Sequence, residues 1–445
     1  MYTFSMSKVK SFEYKGIHLV YKKNKINKAS DVSFGITTGA YQDGRHQGLA
    51  HLFEHCMFFG TKKHSFEEFK SLRETLCPSL NAATSERGMR MTFYESSRDL
   101  ESILEFTSDQ FFNSLPTESQ FENEKKVISN EIARSQQQSK QKFINAHLKI
   151  IRDKKHSPLD VTGTSASLAK IKISNIKKFR QKWYKRQNFC FVIFTSVSLH
   201  KVKKLVDKYF LPYLEDDPSF VPFDYNITFE NPSKVQFVHN KTSKLSSIKI
   251  SKLISSYSLT NAVYLNAVSD CISFRLRELF REKSGLTYER PIFSYYQNKN
   301  GGYIAFTLKV LPENINKALD VTKQMFLDLY NNGFTQNDLD KLKLLQKRAK
   351  DVAEKAKAHG KATSMYVIYL ERGKFEDTRI WRRTKKQINV QKLNDFVKEI
   401  LSPNNVYVII MADKKQKKCY SNAKILEMFG ASKNKSLDKQ TPSVQ

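Results

Sequence analysis

The sequence predicts a mixed α+β chain built of two similar halves, and three observations carry that reading. The chain has 445 residues, 40% of them hydrophobic; that is too long for one ordinary core and apolar enough to pack more than one. Period-two alternation and helical spacing of apolar residues are interspersed along it, so strands and helices follow one another. The order of elements before about residue 210 is met again after about residue 233. Between them lies 211–232, rich in Pro, Asp, Phe and Tyr and poor in periodicity, the composition of an interdomain linker.

In chain order, 11–14 and 17–21 read as a hairpin turning at Lys15 and Gly16, and 31–39 as a partly buried strand. A polar loop, 42–48, leads into an amphipathic helix that ends at Gly60. Ser65 and Glu68 form a capping box that opens a helix to about Cys77. Strands at 79–84 and 89–95 are joined by a tight turn at Glu86, Arg87 and Gly88. Helices follow at about 98–113 and, from an N-cap at Thr117 boxed by Gln120, to about 138. Ser174 is the expected N-cap of a helix to 184, followed by a strand at 188–195 and a helix at 201–210. The second half offers strands near 235–238 and 248–253, a helix over about 260–281, strands near Phe293 and at 302–310, and helices from Pro312 onward.

Composition narrows the function classes. The longest apolar run, around Phe189 to Phe194, is strand-sized and too short to cross a bilayer. The first ten residues hold no signal-peptide core and leave no room for an Arg-rich transit segment. Five widely spaced cysteines with no Cys-x-x-Cys fit reduced thiols in a cytosol-like compartment. The wealth of Lys, Asn, Ile and Phe suits an AT-rich genome such as that of a giant DNA virus, where the virion is a second possible compartment. Net charge is +31, from 75 Lys+Arg against 44 Asp+Glu. Such a surface favours polyanions, although a solvated lysine-rich surface explains the charge as well, and no nucleic-acid motif accompanies it.

Chemistry is concentrated in Gly48-Leu49-Ala50-His51-Leu52-Phe53-Glu54-His55-Cys56-Met57-Phe58-Phe59-Gly60. On a helix His51 and His55 stand about 40° apart, and Glu54 about 60° to the other side of His51. Two imidazoles and a carboxylate on one narrow face can hold zinc and set a general base beside the attacking water. The pattern His-x-x-Glu-His is the inverted form of the commoner zinc-peptidase motif. Cys56 points about 100° away from His55 and reads as a packed thiol. Glu124 and Glu131, seven apart on the helix after Thr117, share a face.

With Gly48-Leu49-Ala50 before the motif, Phe59-Gly60-Thr61-Lys62-Lys63 after it and Glu-x6-Glu downstream, the chain resembles the insulinase (pitrilysin) family, which includes mitochondrial processing peptidases. The resemblance covers about 12–412. It implies two related α/β sandwich domains forming half of a clamshell chamber; with the linker at 211–232 these fall at 1–210 and 233–412, and the Lys-rich remainder, 413–445, reads as a basic tail. It implies one zinc ion per chain held by His51, His55 and Glu131, with Glu124 supporting the ligands and Glu54 as general base. Asn81-Ala82-Ala83-Thr84 matches the edge strand on which the family's peptide substrates add, with Asn81 and Ala82 as substrate-binding positions. Arg281-Glu282-Lys283-Ser284-Gly285-Leu286-Thr287-Tyr288 resembles the Arg-x6-Tyr element that steadies the oxyanion. His64, His147 and His156 receive no role.

The implied activity is zinc-dependent endoproteolysis of extended peptides or unfolded segments. Longer members fuse four such domains, so a two-domain chain is expected to pair, as a homodimer or with a related subunit, each chain's Arg281 and Tyr288 completing the other's site. The alternatives are a non-catalytic scaffold or partner subunit of the same fold and, on charge alone, a nucleic-acid-binding protein.

Overall fold

The computed structural model describes residues 9–429 except 25–27, 138, 226, 230–232, 241–243, 356–359, 374–377, 403–405 and 420. Strands β1 (Lys10–Tyr14) and β2 (Ile17–Lys23) pair antiparallel around Lys15 and Gly16, whose φ values of 48° and 84° match the right-handed twist of a two-residue hairpin. β3 (Ala29–Ile36) is followed by the short helices α1 (Leu49–Cys56) and α2 (Phe66–Thr75). The capping box at Ser65 is formed in both directions: the Glu68 N–H donates to Ser65 Oγ at 3.2 Å, and the Ser65 N–H to Glu68 Oε2 at 2.7 Å. Then come β4 (Asn81–Thr84), β5 (Met89–Ser96), α3 (Leu100–Asn113), α4 (Glu118–Gln137), α5 (Ser139–Ile151), α6 (Ser165–Leu168), α7 (Ile173–Trp183), β6 (Phe189–Thr195) and α8 (Leu199–Tyr209). α7 starts ahead of the expected N-cap Ser174. Lys172 occupies the cap, and its N–H donates back to Asn175 Oδ1 at 2.8 Å.

The second half continues with β7 (Lys234–His239), β8 (Ser246–Ile254), α9 (Leu259–Arg277), β9 (Ile292–Asn298), β10 (Gly301–Val310), α10 (Ile315–Asn331), α11 (Gln336–Lys355), α12 (Lys361–Arg372), α13 (Thr378–Lys386), α14 (Val390–Leu401), β11 (Val406–Ala412) and α15 (Asn422–Met428). The expected helix to residue 281 changes winding before it ends: α9 gives way to a π-helical turn at Glu278–Lys283, which sets Phe280 in the core and leaves Arg281 exposed. Within the basic tail expected at 413–445, α15 buries Ile425 in the second core; residues 430–445 lie outside the described residues.

The two sheets have one topology. The first runs β1-β2-β6-β3-β5-β4 and the second β7-β11-β8-β10-β9. Apart from the extra edge strand β1, each position corresponds, down to the one parallel pair in each sheet, β2/β6 and β7/β11. This is an α+β chain with a duplicated architecture. Each sheet packs one face on the helices of its own half. The other face is covered by a helix from the opposite half. α12 lays Ala362, Met365 and Tyr366 on Val20, Cys190, Val192 and Phe194 of the first sheet. α5 lays Phe143, Ile150 and Ile151 on Tyr407, Ile409 and Met411 of the second. That exchange explains why the central strands β6 and β11 are buried at every position and read as unbroken apolar runs rather than as alternation. The segment after α8 is likewise seated: Leu211 and Leu214 join the first core, and the Tyr225 hydroxyl lies 2.6 Å from Gln42 Oε1.

Candidate active site

α1 begins at Gly48, whose φ of 90° admits a side chain poorly and whose Cβ would stand 2.7 Å from Thr162 O. Leu49, Ala50, Leu52, Phe53 and Cys56 are buried in the first core. The opposite face carries His51, Glu54 and His55 toward α4 and β4. Cys56 is fully buried and burial raises its pKa, so it is a packed thiol. Cys77, Cys190 and Cys271 are also buried free thiols.

Helix α4 brings Glu131 to both histidines: Glu131 Oε2 lies 3.8 Å from His51 Nε2 and 3.8 Å from His55 Nε2. One ligand atom from each of the three lies within 4.8 Å of the other two, and these residues are the group among the described residues that could hold a metal ion. Glu124, two turns earlier on α4, meets His55 Nδ1 at 2.7 Å, which leaves Nε2 bare as a ligand. Two imidazole nitrogens and a carboxylate are a donor set that suits zinc. The two 3.8 Å separations are wider than the roughly 3.3 Å between ligand atoms of a tetrahedral zinc site, so the side chains would draw together around an ion.

The electrostatics separate the roles. Burial, with the neighbouring His55, pushes His51 down to about 4, so it is neutral and free to ligate at ordinary pH. Burial pulls His55 down as well, but the bond to Glu124 and the charges of Glu54, Glu124 and Glu131 outweigh it and leave its pKa raised. Burial raises the Glu54 carboxyl, with Glu131 adding to the rise and Thr84 and His55 opposing it. Glu54 thus sits against the last residue of β4, off the ligand cluster. β4 is an edge strand of the first sheet, at the end opposite β1, paired only with β5 among the described residues, with Asn81 exposed and Ala82 buried. Its outer backbone is open to another strand.

Arg281 and Tyr288 are brought to each other but not to this cluster. The Arg281 guanidinium lies 4.9 Å from the Tyr288 ring centre, and Tyr288 is 86% exposed. No hydrogen bond, ion pair or ring contact joins either residue to His51, His55 or Glu131 among the described residues. Of the unassigned histidines, His147 is buried with Nε2 at 2.5 Å from Ser251 Oγ, and His156 pairs with Asp153 at 2.8 Å.

Asp43 lies in the segment that the sequence presents as a polar loop, with no sign of a role. It is buried, accepts the Gly48 N–H at 2.8 Å and the Ala50 N–H at 2.9 Å, and is pushed up to about 7 by burial against those bonds. The available signal is a carboxylate a few residues ahead of a helix that starts on glycine, with no side chain of its own to cap it.

The family model described as insulinase (peptidase family M16) matches residues 18–164, and that described as the peptidase M16 inactive domain matches residues 170–345. An insulin-degrading enzyme homolog of Dictyostelium discoideum is 26% identical over 208 residues, which is 45% of this chain but 21% of that protein. An uncharacterized zinc protease of Rickettsia bellii is 22% identical over 359 residues, 74% of this chain and 81% of that protein. The chain thus spans about a fifth of the first relative and about four fifths of the second. Among solved structures, a protease from Helicobacter pylori aligns with a TM-score of 0.77 at 18% identity, covering 91% of this chain and 99% of that one. The periplasmic protease PqqL from Escherichia coli aligns with a TM-score of 0.80 at 17% identity, covering 98% of this chain and 52% of that one. Both likenesses show the fold.

Proposed function

The chain belongs to the insulinase family (peptidase family M16), and on that premise we propose that it is a zinc-dependent endopeptidase acting on extended peptides or unfolded protein segments. The observation that carries this reading is the meeting of His51, His55 and Glu131 within 4.8 Å, beside a half-buried Glu54 of raised pKa. A scaffold that had lost its chemistry would have no need of the whole set. The half matched by the inactive-domain model holds no comparable cluster among the described residues.

His51, His55 and Glu131 would hold the zinc, and Glu124 fixes the His55 ring. Zinc, when bound, supplies a Lewis acid for the scissile carbonyl and acidifies the attacking water. Glu54 takes the proton of that water and passes it to the leaving amine; a carboxyl raised by burial is suited to carry a proton between the two. The open edge of β4 pairs with the backbone of an extended substrate, Asn81 and Ala82 lining it, which disfavours rigid folded domains. Arg281 and Tyr288, exposed and away from the cluster in their own chain, serve a site completed by a second copy or a related subunit.

The test is metal content and peptide cleavage of purified variants. Glu54→Gln is expected to keep about one zinc per chain while activity falls by about 10²–10⁴. His51→Ala, His55→Ala and Glu131→Gln are expected to lose the metal. Equal zinc loss in Glu54→Gln and His51→Ala would remove Glu54 from the role of base. For sharing between chains, Glu54→Gln and Tyr288→Phe proteins are co-expressed; recovery of about a quarter of wild-type activity is expected, and mixed dimers without recovery would refute it.

A further inference from the structure

We propose that Asp43 is the positioning residue that locks the metal-binding helix to the hairpin carrying the substrate strand, an inference that rests on the peptidase reading above. A helix start leaves several N–H groups without partners. At α1 these include the N–H groups of Gly48 and Ala50, and Ala50 immediately precedes His51. Gly48 has no side chain to cap them. The acceptor comes from outside the helix: Asp43 Oδ2 takes the Gly48 N–H at 2.8 Å and Oδ1 the Ala50 N–H at 2.9 Å.

The loop that carries Asp43 is itself bolted to the β4–β5 turn. The Asp43 N–H donates to Ala40 O at 3.2 Å; the Ala40 N–H donates to Ser85 O and the Tyr41 N–H to Glu86 O, both at 3.0 Å. Gly39 lies so near this turn that a Cβ there would stand 2.2 Å from Ser85 O. Tyr225, from the segment between the halves, clasps the same loop, its hydroxyl 2.6 Å from Gln42 Oε1. Ser85 directly follows Thr84, the end of β4 against which Glu54 sits. A continuous path of hydrogen bonds therefore runs from Thr84's neighbour through Ala40 and Asp43 to His51's neighbour. Both ends of the catalytic distance, metal ligands and substrate strand, are referred to this one bracket.

The carboxylate is the chemically required group at the junction, because two N–H donors must be met by two acceptor oxygens. In Asp43→Asn one donor would face an NH₂ group, with no change in size. Small errors of placement are costly in catalysis, so the effect should fall on metal affinity and turnover rather than on folding alone.

The experiment uses the full chain. Zinc affinity is measured by chelator competition, kcat and KM on a quenched extended peptide at saturating zinc, and the thermal midpoint in parallel. Asn389→Ala is the comparator: Asn389 caps α14 in the second half by accepting the Lys392 N–H at 2.9 Å, with no such path to the site among the described residues. Asp43→Asn is expected to weaken zinc binding by about tenfold or more and to lower kcat by a similar factor, with KM within about twofold. Asn389→Ala is expected to lower the midpoint while zinc affinity and kcat stay within about twofold of wild type. Asp43→Glu, which keeps both acceptor oxygens, should bind zinc more tightly than Asp43→Asn. Wild-type zinc affinity and kcat in Asp43→Asn would overturn the proposal, as would an Asp43→Glu protein no better than Asp43→Asn. A wild-type chain that neither binds zinc nor cleaves the peptide would instead defeat the peptidase reading itself.

Discussion

The two halves share a strand order and differ in the segment that leaves the equivalent strand. After β3 the first half inserts a loop and an eight-residue helix that packs one face in the core and turns a buried His51 and half-buried Glu54 and His55 to the other side. After β8 the second half runs into α9, nineteen residues with nine buried positions and no histidine or glutamate in its length. The first arrangement meets Glu131 on α4; the second meets apolar side chains in the second core. One architecture therefore supports a metal-fit face or a packing face at the same topological position, and which one appears is decided by a few side chains and a helix length. The second half is still not idle, because its α12 covers the first sheet and α5 of the first half covers its own.

Breaking the exchange should have the largest effect. Tyr366 is fully buried and its hydroxyl bonds Ile36 O at 2.8 Å and Met89 O at 3.1 Å, on strands of the opposite half. Tyr366→Ala is expected to cost about 3–5 kcal/mol in denaturant unfolding. A loss under about 1 kcal/mol would mean that α12 only decorates the first sheet.

A smaller effect sharpens the contrast at the metal face. Glu124→Ala frees the His55 ring and is expected to weaken zinc by about 10–100-fold. Glu122→Ala, which removes only a pairing with Lys125 on the same helix, should leave zinc affinity unchanged. Equal losses in the two variants would show that the charge of α4, and not the bond to His55, supports the ligand.

The smallest concerns pH and the other exchanged helix. His147 on α5 is held well below 6.5 by burial, with Lys249 and Arg152 adding to the shift; Ser251 and Tyr303 also face it. It is neutral when folded and takes up a proton on unfolding. Its contribution to stability is therefore complete above about pH 6.5 and is lost as pH falls below that, with a slope of at most about 1.4 kcal/mol per pH unit. His147→Gln should remove that slope from unfolding curves taken between pH 7 and 5. An unchanged difference between wild type and variant across the range would place the acid sensitivity elsewhere.

Local features are legible from residues alone. The Lys15-Gly16 turn, the Ser65-Glu68 box and the shared face of His51, Glu54 and His55 each depend on neighbours within one turn or one hairpin. Glu131 can be paired with them only by resemblance, since nothing near it in sequence marks it apart from other helix glutamates. Asp43 leaves only a weak signal, a carboxylate a few residues ahead of a helix that starts on glycine, because its partners, Gly48 and Ala50, offer backbone groups that carry no sequence signature. The helix α5 is missing from the sequence expectation, because its apolar residues answer a sheet whose strands lie far along the chain.

The sequence by itself determined the zinc-fit helix face, the duplicated order of strands and helices and the hairpin that opens the chain, because periodicity and turn chemistry act over a few residues. Only the tertiary structure decided that each half would cover the other's sheet, that β4 would stand at an open edge beside Glu54, and that Arg281 and Tyr288 would lie apart from the metal face of their own chain. Those outcomes depend on which apolar surfaces meet across long stretches of chain, and burial rewards such meetings without leaving a local pattern to announce them.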